Sequence, residues 1–288
     1  MFEGLSRSDT GTPLWNSDLA IERRRADTEL NGIEYRKEVL GKFTWERIRV
    51  KDEEGARSIG RPCGRYDTLT LPRMDTLDEE ETDDAANEVA KELCRIVDGC
   101  NVYPDRLLIV GLGNASLTPD SIGPMAADLT RATMHLCEAD GDIFDAMECS
   151  EIAIISPGVT AKTGMDAADV IIGIADRIQP DIIIAIDALA SGSPARLGTT
   201  VQISDTGILP GGGIGNKRLP LNERVLGIPV IAIGVPTVID ARIFSHGEGV
   251  KPKIDDRAMF VAPQEIDGIA RAGARIISGG INQAFGIN

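Results

Sequence analysis

Residues 106–113 read RLLIVGLG and residues 181–190 read DIIIAIDALA, and these two runs decide the fold class. Each is a continuous apolar run, which is typical of a β-strand buried on both faces. Three further segments have the character of strands: 151–157 (EIAIISP), 199–205 (TTVQISD) and 228–236 (IPVIAIGVP). Helical patterns lie between and after them, over 121–137, 163–179 and 263–284. We therefore predict an α/β fold of three layers, a largely parallel sheet with helices on both faces.

Residues 19–72 have a different pattern. Apolar residues there are spread among charged ones, which is typical of strands with an exposed face, and we expect a turn at 51–55. Asp18, directly before this part, is placed to cap a short helix. We predict one α/β domain over 19–288, with a β-rich N-terminal embellishment at 19–72 and the core at 106–288.

Composition and charge exclude several functional classes. The chain has 288 residues, 42% of them hydrophobic, which is enough for a sizeable core, and it has no apolar run long enough to span a membrane. The net charge of −15 disfavours a nucleic acid or an anionic membrane as the main partner. Five cysteines without a CxxC pair disfavour structural zinc and a disulfide framework. With no secretory signal at the N-terminus, we expect a protein of the reducing cytoplasm.

Candidate functional residues follow the predicted strands. In an open α/β sheet, ligands bind beyond the carboxyl ends of the strands. Three polar or glycine-rich loops follow strands and are expected at that edge: 111–124, 187–190 and 204–218. Each contributes a carboxylate at or near the end of its strand: Asp120, Asp187 and Asp205. Acidic residues that converge from separate strands are what a hydrolytic site needs.

Asp187 is the most informative of these residues because it ends IIIAID (182–187), a run with no other polar side chain. At the rim of an apolar sheet, desolvation raises the pKa of a carboxyl group, and a second carboxylate separates the titrations of the pair. One protonated and one ionised carboxyl group can activate water and protonate a departing amine. The alternative is structural: Asp187 and Asp120 cap the elements that follow them, and Asp205 stabilises a Ser-Asp-Thr-Gly turn.

Two glycine-rich loops are candidates to contact substrate or to donate main-chain N–H groups to an oxyanion. The residues concerned are Gly111, Gly113 and Asn114 in the first loop, and Gly213 and Gly215 in the second. Neither loop fits a nucleotide-binding motif, because Ser116 replaces the third glycine of the dinucleotide fingerprint and the second loop fails the P-loop spacing. We expect no cofactor and no bound metal.

Five segments at these strand ends resemble, together and in order, the signature segments of the spore germination protease family. They are GLGNASLTPDSIGP (111–124), SPGVTAKTGMDAADVI (156–171), PDIIIAIDALA (180–190), TTVQISDTGILPGGGIGNKR (199–218) and LGIPVIAIGVPTVIDA (226–241). Weaker similarity extends to NSDLAIERR (16–24) and to the last helix. The joint match of five separate loops makes the resemblance specific.

The resemblance implies an endopeptidase that degrades small acid-soluble, DNA-coating spore proteins early in germination, in the cytoplasm of the forespore or spore core. The catalytic pair of the family is two aspartates, and the matching positions are Asp120 and Asp187. The family is made as a zymogen that removes its own N-terminal segment. NSDLAIE resembles the processing site, which implies a prosegment of residues 1–18 cut between Asp18 and Leu19. Members assemble as tetramers, and their fold is similar to that of the hydrogenase-maturation proteases.

Two other classes of function stay open. The GxGN loop and the acidic residues are similar to those with which hydrogenase-maturation proteases hold a metal of their substrate, which favours a metal-dependent maturation protease. A non-catalytic binding protein on the same fold is the other. The stretch between Ala241 and Met259 is also shorter than is usual in the germination protease family.

Overall fold

The computed structural model describes residues 17–23, 30–139, 144, 147–211, 219–241, 243 and 259–286. Its strands are β1 (Ile33–Leu40), β2 (Phe43–Val50), β3 (Gly64–Thr70), β4 (Arg106–Gly111), β5 (Glu151–Ile155), β6 (Ile182–Ser191), β7 (Thr200–Ser204), β8 (Val230–Asp240) and β9 (Phe260–Val261). Its helices are α1 (Glu53–Ile59), α2 (Glu79–Asp98), α3 (Ile122–Leu129), α4 (Met134–Ala139), α5 (Thr160–Thr163), α6 (Ala167–Ile178), α7 (Glu223–Leu226) and α8 (Ile266–Ala284). No helix in these described ranges is long and apolar enough to cross a membrane.

The strands form one mixed sheet in the order β1-β2-β3-β7-β8-β6-β4-β5, with β9 on β8. Strands β8, β6, β4 and β5 are parallel, which confirms the predicted α/β fold. Strand β7 runs antiparallel to β8 and to β3, and through it the N-terminal strands join the sheet. Only residues 192–199 separate β6 from β7, so there is no room for the crossover helix that a parallel strand needs.

The side chains of β6 alternate between the two faces of the sheet. Ile182, Ile184 and Ile186 are fully buried and pack with α2 and α8. Ala185, and then Asp187, follow on the opposite face, where α6 covers the sheet. Because burying an isoleucine stabilises the fold by roughly 1.5–3 kcal/mol, this pattern fixes which face each residue of β6 takes. Asp187 is therefore held on the α6 face.

Helix α1 replaces the turn predicted at 51–55. The carboxylate of Asp52 accepts the N–H of Gly55 at 2.9 Å and caps the helix, and Gly60 ends it in the left-handed conformation. A Cβ on Gly55 would lie 2.4 Å from the carbonyl oxygen of Gly32, so a glycine is needed where the helix packs on the preceding turn. The sequence predicts a turn here because a glycine in the middle of a segment counts against a helix.

Candidate active site

Asp187 lies within β6 and not in a loop after it. Strand β6 continues to Ser191 because β8 runs beside it, whereas β4 ends at Gly111, opposite Ile186. Asp187 is thus the first residue of β6 past the end of β4. It is 5% exposed, and its Oδ1 accepts the N–H of Ala188 at 2.9 Å.

Gly234 is the partner of Asp187 on β8, and Gln202 of β7 is the partner of Gly234. A Cβ on Gly234 would lie 2.5 Å from the carbonyl oxygen of Asp187 and 2.8 Å from Cγ of Leu189, so only glycine fits here. Residues that are partners across a sheet share a face. Asp187 and Gln202 therefore lie on the same face, two strands apart, and the side chain of Leu189 occupies the space over Gly234 between them.

Asp120 ends a 3-10 turn, Thr118–Asp120, in the loop after β4. Its carbonyl oxygen accepts the N–H of Asn114 at 2.9 Å. Gly113 has φ of +112°, and a Cβ there would lie 3.1 Å from Oδ1 of Asp120. The carboxylate of Asp120 thus lies against the glycine loop, and Ser121, not Asp120, occupies the N-cap position of α3.

Two hydrogen bonds hold the turn of Asp120 close to the sheet edge at which Asp187 lies. The N–H of Leu112 donates to the carbonyl oxygen of Ile186, the residue before Asp187, at 2.8 Å. The hydroxyl of Thr237 on β8 donates to the carbonyl oxygen of Pro119 at 2.7 Å. The structure therefore brings two of the three predicted aspartates together at the carboxyl edge of the parallel strands.

Asp18 and Leu19 lie in a segment without regular secondary structure that contacts the end of β6 and the middle of β7. The N–H of Asp18 donates to the carbonyl oxygen of Ala190, and the N–H of Ala190 donates to Oδ2 of Asp18, both at 2.8 Å. Gln202 accepts the N–H of Ala20 through Oε1 at 2.8 Å and donates from Nε2 to the carbonyl oxygen of Asp18 at 3.2 Å. The Asp18 carboxylate thus binds β6, and the helical turn after it is a short 3-10 turn, Ile21–Arg23.

Apolar and polar contacts anchor this segment. Leu19 and Ala20 are fully buried in a cluster with residues of β2, β3 and β6. The carboxylate of Glu22 accepts the hydroxyl of Ser191 at 2.6 Å and the N–H of Gly192 at 2.5 Å. The segment is therefore bound to the strand that carries the candidate catalytic residue.

Charged groups around the segment are removed from water. Arg61 and Arg23 both donate from Nη2 to the carbonyl oxygen of Ser17, at 2.7 and 3.0 Å. Burial raises the pKa of Asp18, and the N–H of Ala190 and the charge of Arg61 offset part of that rise. Burial, with the neighbouring charge of Arg61, lowers the pKa of Arg23 to about 10. The hydrogen bonds of Arg23, Arg61 and Asp18 thus stabilise the docked position of the segment.

Asp205 does not join the other two aspartates, and the expectation that it follows its strand to the same edge is wrong. Because β7 is antiparallel to β8, the carboxyl end of β7 lies toward the opposite edge of the sheet. There, Oδ1 of Asp205 accepts the N–H of Arg65 at 2.7 Å, and Gly64 packs so closely that a Cβ would lie 2.5 Å from the same oxygen. Burial raises the pKa of Asp205. Its contacts are those of a residue that stabilises a turn.

Part of the first glycine loop is committed to main-chain hydrogen bonds and close packing. The N–H groups of Leu112 and Asn114 already donate to carbonyl oxygens, and a Cβ on Gly111 would lie 2.4 Å from the carbonyl oxygen of Gly123, so Gly111 serves close packing. Gly213 and Gly215 lie outside the described residues. Within the described part of the chain, no group of three or more His, Cys, Asp or Glu side chains is arranged to hold a metal ion.

Two site residues were missed from the sequence: Gln202 and Glu22. Gln202 is the one amide in the otherwise apolar or hydroxyl-bearing strand TVQIS, which is a weak signal. Glu22 sits in a charged run and carries no signal by itself, because its partners Ser191 and Gly192 are far away in sequence.

Comparisons with known proteins identify the family of this chain. A family model of germination proteases matches residues 15–247. A germination protease of Clostridium perfringens is 34% identical over 310 residues, covering 93% of this chain and 94% of the relative. One from Caldanaerobacter subterraneus is 41% identical over 234 residues, covering 80% of this chain and 71% of the relative.

Among solved structures, the NiFe hydrogenase maturation protease HycI from Thermococcus kodakarensis matches with a TM-score of 0.37 and 16% identity, covering 65% of this chain and 99% of that chain. The family match extends over most of the chain, and the relatives align with it over most of both lengths. This protein therefore belongs to the germination protease family.

Proposed function

We propose that this protein is an endopeptidase that degrades small acid-soluble, DNA-coating spore proteins during germination, with Asp120 and Asp187 as its catalytic pair. The observation that carries the proposal is the docked segment Ser17–Arg23, whose main chain is bound by Ala190 of β6, three residues after Asp187, and by Gln202 of β7. A sheet edge that binds a peptide main chain and carries two aspartates is suited to peptide hydrolysis. Relatives named germination protease support a protease that acts in germination.

The chemistry needs no group beyond water and the two carboxyl groups. One carboxylate takes a proton from a water molecule while its oxygen attacks the carbonyl carbon of the substrate. The carbon–nitrogen bond then breaks, and the other carboxyl group gives its proton to the departing amine. The products are a carboxylic acid and an amine, and the pair returns to one shared proton. Because the two groups titrate as a unit, the roles of acid and base belong to the pair.

We also infer that the chain is a zymogen, with residues 1–18 as prosegment and 19–288 as the protease domain. The bond between Asp18 and Leu19 lies in the docked segment, beside the strand of Asp187. Since Leu19 and Ala20 are fully buried, few water molecules reach this bond in the docked segment, so self-cleavage should be slow. The proposal also places the protein in the cytoplasm of the forespore or spore core, as a homotetramer.

The test is an incubation of the full-length protein with a small acid-soluble spore protein, followed by intact mass spectrometry of both chains. We expect discrete fragments of the substrate, a cut at Asp18–Leu19, and about 10²- to 10⁴-fold slower cleavage in Asp120→Asn and Asp187→Asn. Asp176→Asn, an exposed position on α6, is the matched control and should cleave normally.

Three outcomes would overturn parts of this proposal. Cleavage abolished by a chelator would favour the metal-dependent maturation protease instead, and an intact substrate under every condition would favour a binding protein. A chain that begins at Leu19 should be active without delay. Equal activity of that chain and the full-length chain would remove the regulatory role of the prosegment.

A further inference from the structure

Gln202 is the residue from which this inference starts. It is 8% exposed, in the middle of β7, and its side chain makes two hydrogen bonds to the docked segment. The N–H of Ala20 can only donate and the carbonyl oxygen of Asp18 can only accept, so the partners fix which end of the amide faces which group. The two bonds enclose Leu19. One side chain thus binds the main chain before and after a single residue, as a neighbouring β-strand would.

The position of Gln202 links these bonds to the candidate catalytic residue. Gln202, Gly234 and Asp187 lie side by side on three neighbouring strands. At a strand spacing of about 4.8 Å, Gln202 is roughly 10 Å from the backbone of Asp187. The side chain of Leu189 fills the space over Gly234, since its Cγ lies 2.8 Å from where a Cβ would stand. A peptide held by Gln202 therefore lies on the face of Asp187 and packs against Leu189, as Leu19 does in the docked segment.

We propose that Gln202 is a substrate-binding residue of the protease. This role rests on the proposed function. A protein substrate enters as an extended segment and takes the place of Ser17–Arg23. Oε1 of Gln202 then accepts the N–H of the second residue after the cut. Nε2 donates to the carbonyl oxygen of the bond that is cut. Neither contact uses a substrate side chain, so Gln202 aligns any extended segment that can take the place of Ser17–Arg23.

The donor to the carbonyl has a further effect during the reaction. When water adds to the carbonyl carbon, the carbonyl oxygen becomes negatively charged, and a hydrogen bond from a buried amide to that oxygen strengthens. The main-chain N–H groups of Leu112 and Asn114 are already used elsewhere. Gln202 supplies one donor of this kind.

The experiment separates the two hydrogen bonds of Gln202 in the full-length protein. Gln202→Glu keeps the acceptor for the N–H of Ala20 and loses the donor at neutral pH, whereas Gln202→Met has a similar shape and loses both. Gln283→Glu, an exposed position near the end of α8, is the control with the same change of charge. Self-cleavage is followed by intact mass, kcat and KM are measured on a spore protein, and hydrogen exchange is measured at the amide of Ala20.

We expect Gln202→Glu to keep the Ala20 amide protected while kcat falls about 10²- to 10³-fold at nearly unchanged KM. Gln202→Met should lose the protection, raise KM and lower kcat, and Gln283→Glu should behave as the unchanged protein. A purely structural role would lower protection and activity together in both Gln202 variants. That result, or either variant cleaving within threefold of the unchanged protein, overturns the inference.

The failure of the proposed function is a separate outcome. It shows as an unchanged protein that cleaves neither itself nor the substrate and is no more active than Asp187→Asn. That outcome overturns the catalytic role of Gln202 as well. Exchange at Ala20 still reports whether Gln202 holds the segment, so the two failures are told apart.

Discussion

Asp187 and Asp205 both follow buried strand residues, yet they lie at different edges of the sheet. Strand β6 is parallel to its neighbours, and Asp187 lies at the carboxyl edge with the turn of Asp120 and the docked segment. Strand β7 is antiparallel to β8, so Asp205 lies toward the other edge and accepts the N–H of Arg65. The comparison teaches that the direction of a strand, not the residue at its end, decides whether a carboxylate reaches the site.

The largest expected effect tests this comparison with the same substitution at both positions. Asp187→Asn should slow cleavage of a spore protein about 10²- to 10⁴-fold, because a carboxyl group that moves a proton is lost. Asp205→Asn should cleave within threefold of the unchanged protein, because an asparagine oxygen can still accept the N–H of Arg65. Initial rates on one substrate measure both. Similar losses in the two variants would contradict the assignment of the two edges.

A second prediction concerns the glycine between Asp187 and Gln202. Gly234→Ala places a Cβ 2.5 Å from the carbonyl oxygen of Asp187, so the β6–β8 ladder must shift, at about 1–3 kcal/mol of stability, and cleavage must slow. Gly173→Ala on α6 is the control, because a Cβ there meets nothing within 4 Å and a helical alanine is favoured by roughly 0.5–1 kcal/mol. Urea unfolding and initial rates measure both. A Gly234→Ala protein as stable and active as the original would show that the strands tolerate the side chain.

The smallest effect concerns a buried pair of carboxyl groups with no role in the proposed reaction. Asp67 on β3 and Glu92 on α2 are both buried, and Nη2 of Arg47 lies 2.6 Å from Oε2 of Glu92. Burial, and then the charge of Glu92, raise the pKa of Asp67 to about 8. The folded protein therefore keeps a proton that the unfolded chain releases near pH 4. Its free energy of unfolding should decrease as the pH rises from about 4 to 8, by up to about 1.4 kcal/mol per pH unit.

Asp67→Asn should flatten that decrease, since the amide carries no titrating proton. Asp84→Asn, at a well-exposed position on the same helix as Glu92, should keep it. Urea unfolding at a series of pH values gives the slopes. Equal slopes in all three proteins would mean that Asp67 is ionised when folded.

The parallel core was accessible from sequence because its strands are continuous apolar runs. Asp187 was found for the same reason, as the one polar group in such a run. The direction of β7 could not be predicted from the sequence, because it depends on a short connection and on the strands that β7 meets in the folded protein. Gln202 and the docking of Asp18 depend on contacts between residues more than 170 positions apart, which no local pattern encodes.

Those distant contacts have a consequence for the timing of events in the cell. Asp18 meets Ala190 across 172 positions, and Ala20 meets Gln202 across 182. Pairings of such long range form late and slowly, because the loop between the partners must close first. During synthesis, the segment Ser17–Arg23 therefore lacks its partners until β6 and β7 have left the ribosome. The bond before Leu19 comes into position only after β6 and β7 have joined the sheet, so an unfinished chain would lack the assembled site of the proposed cut.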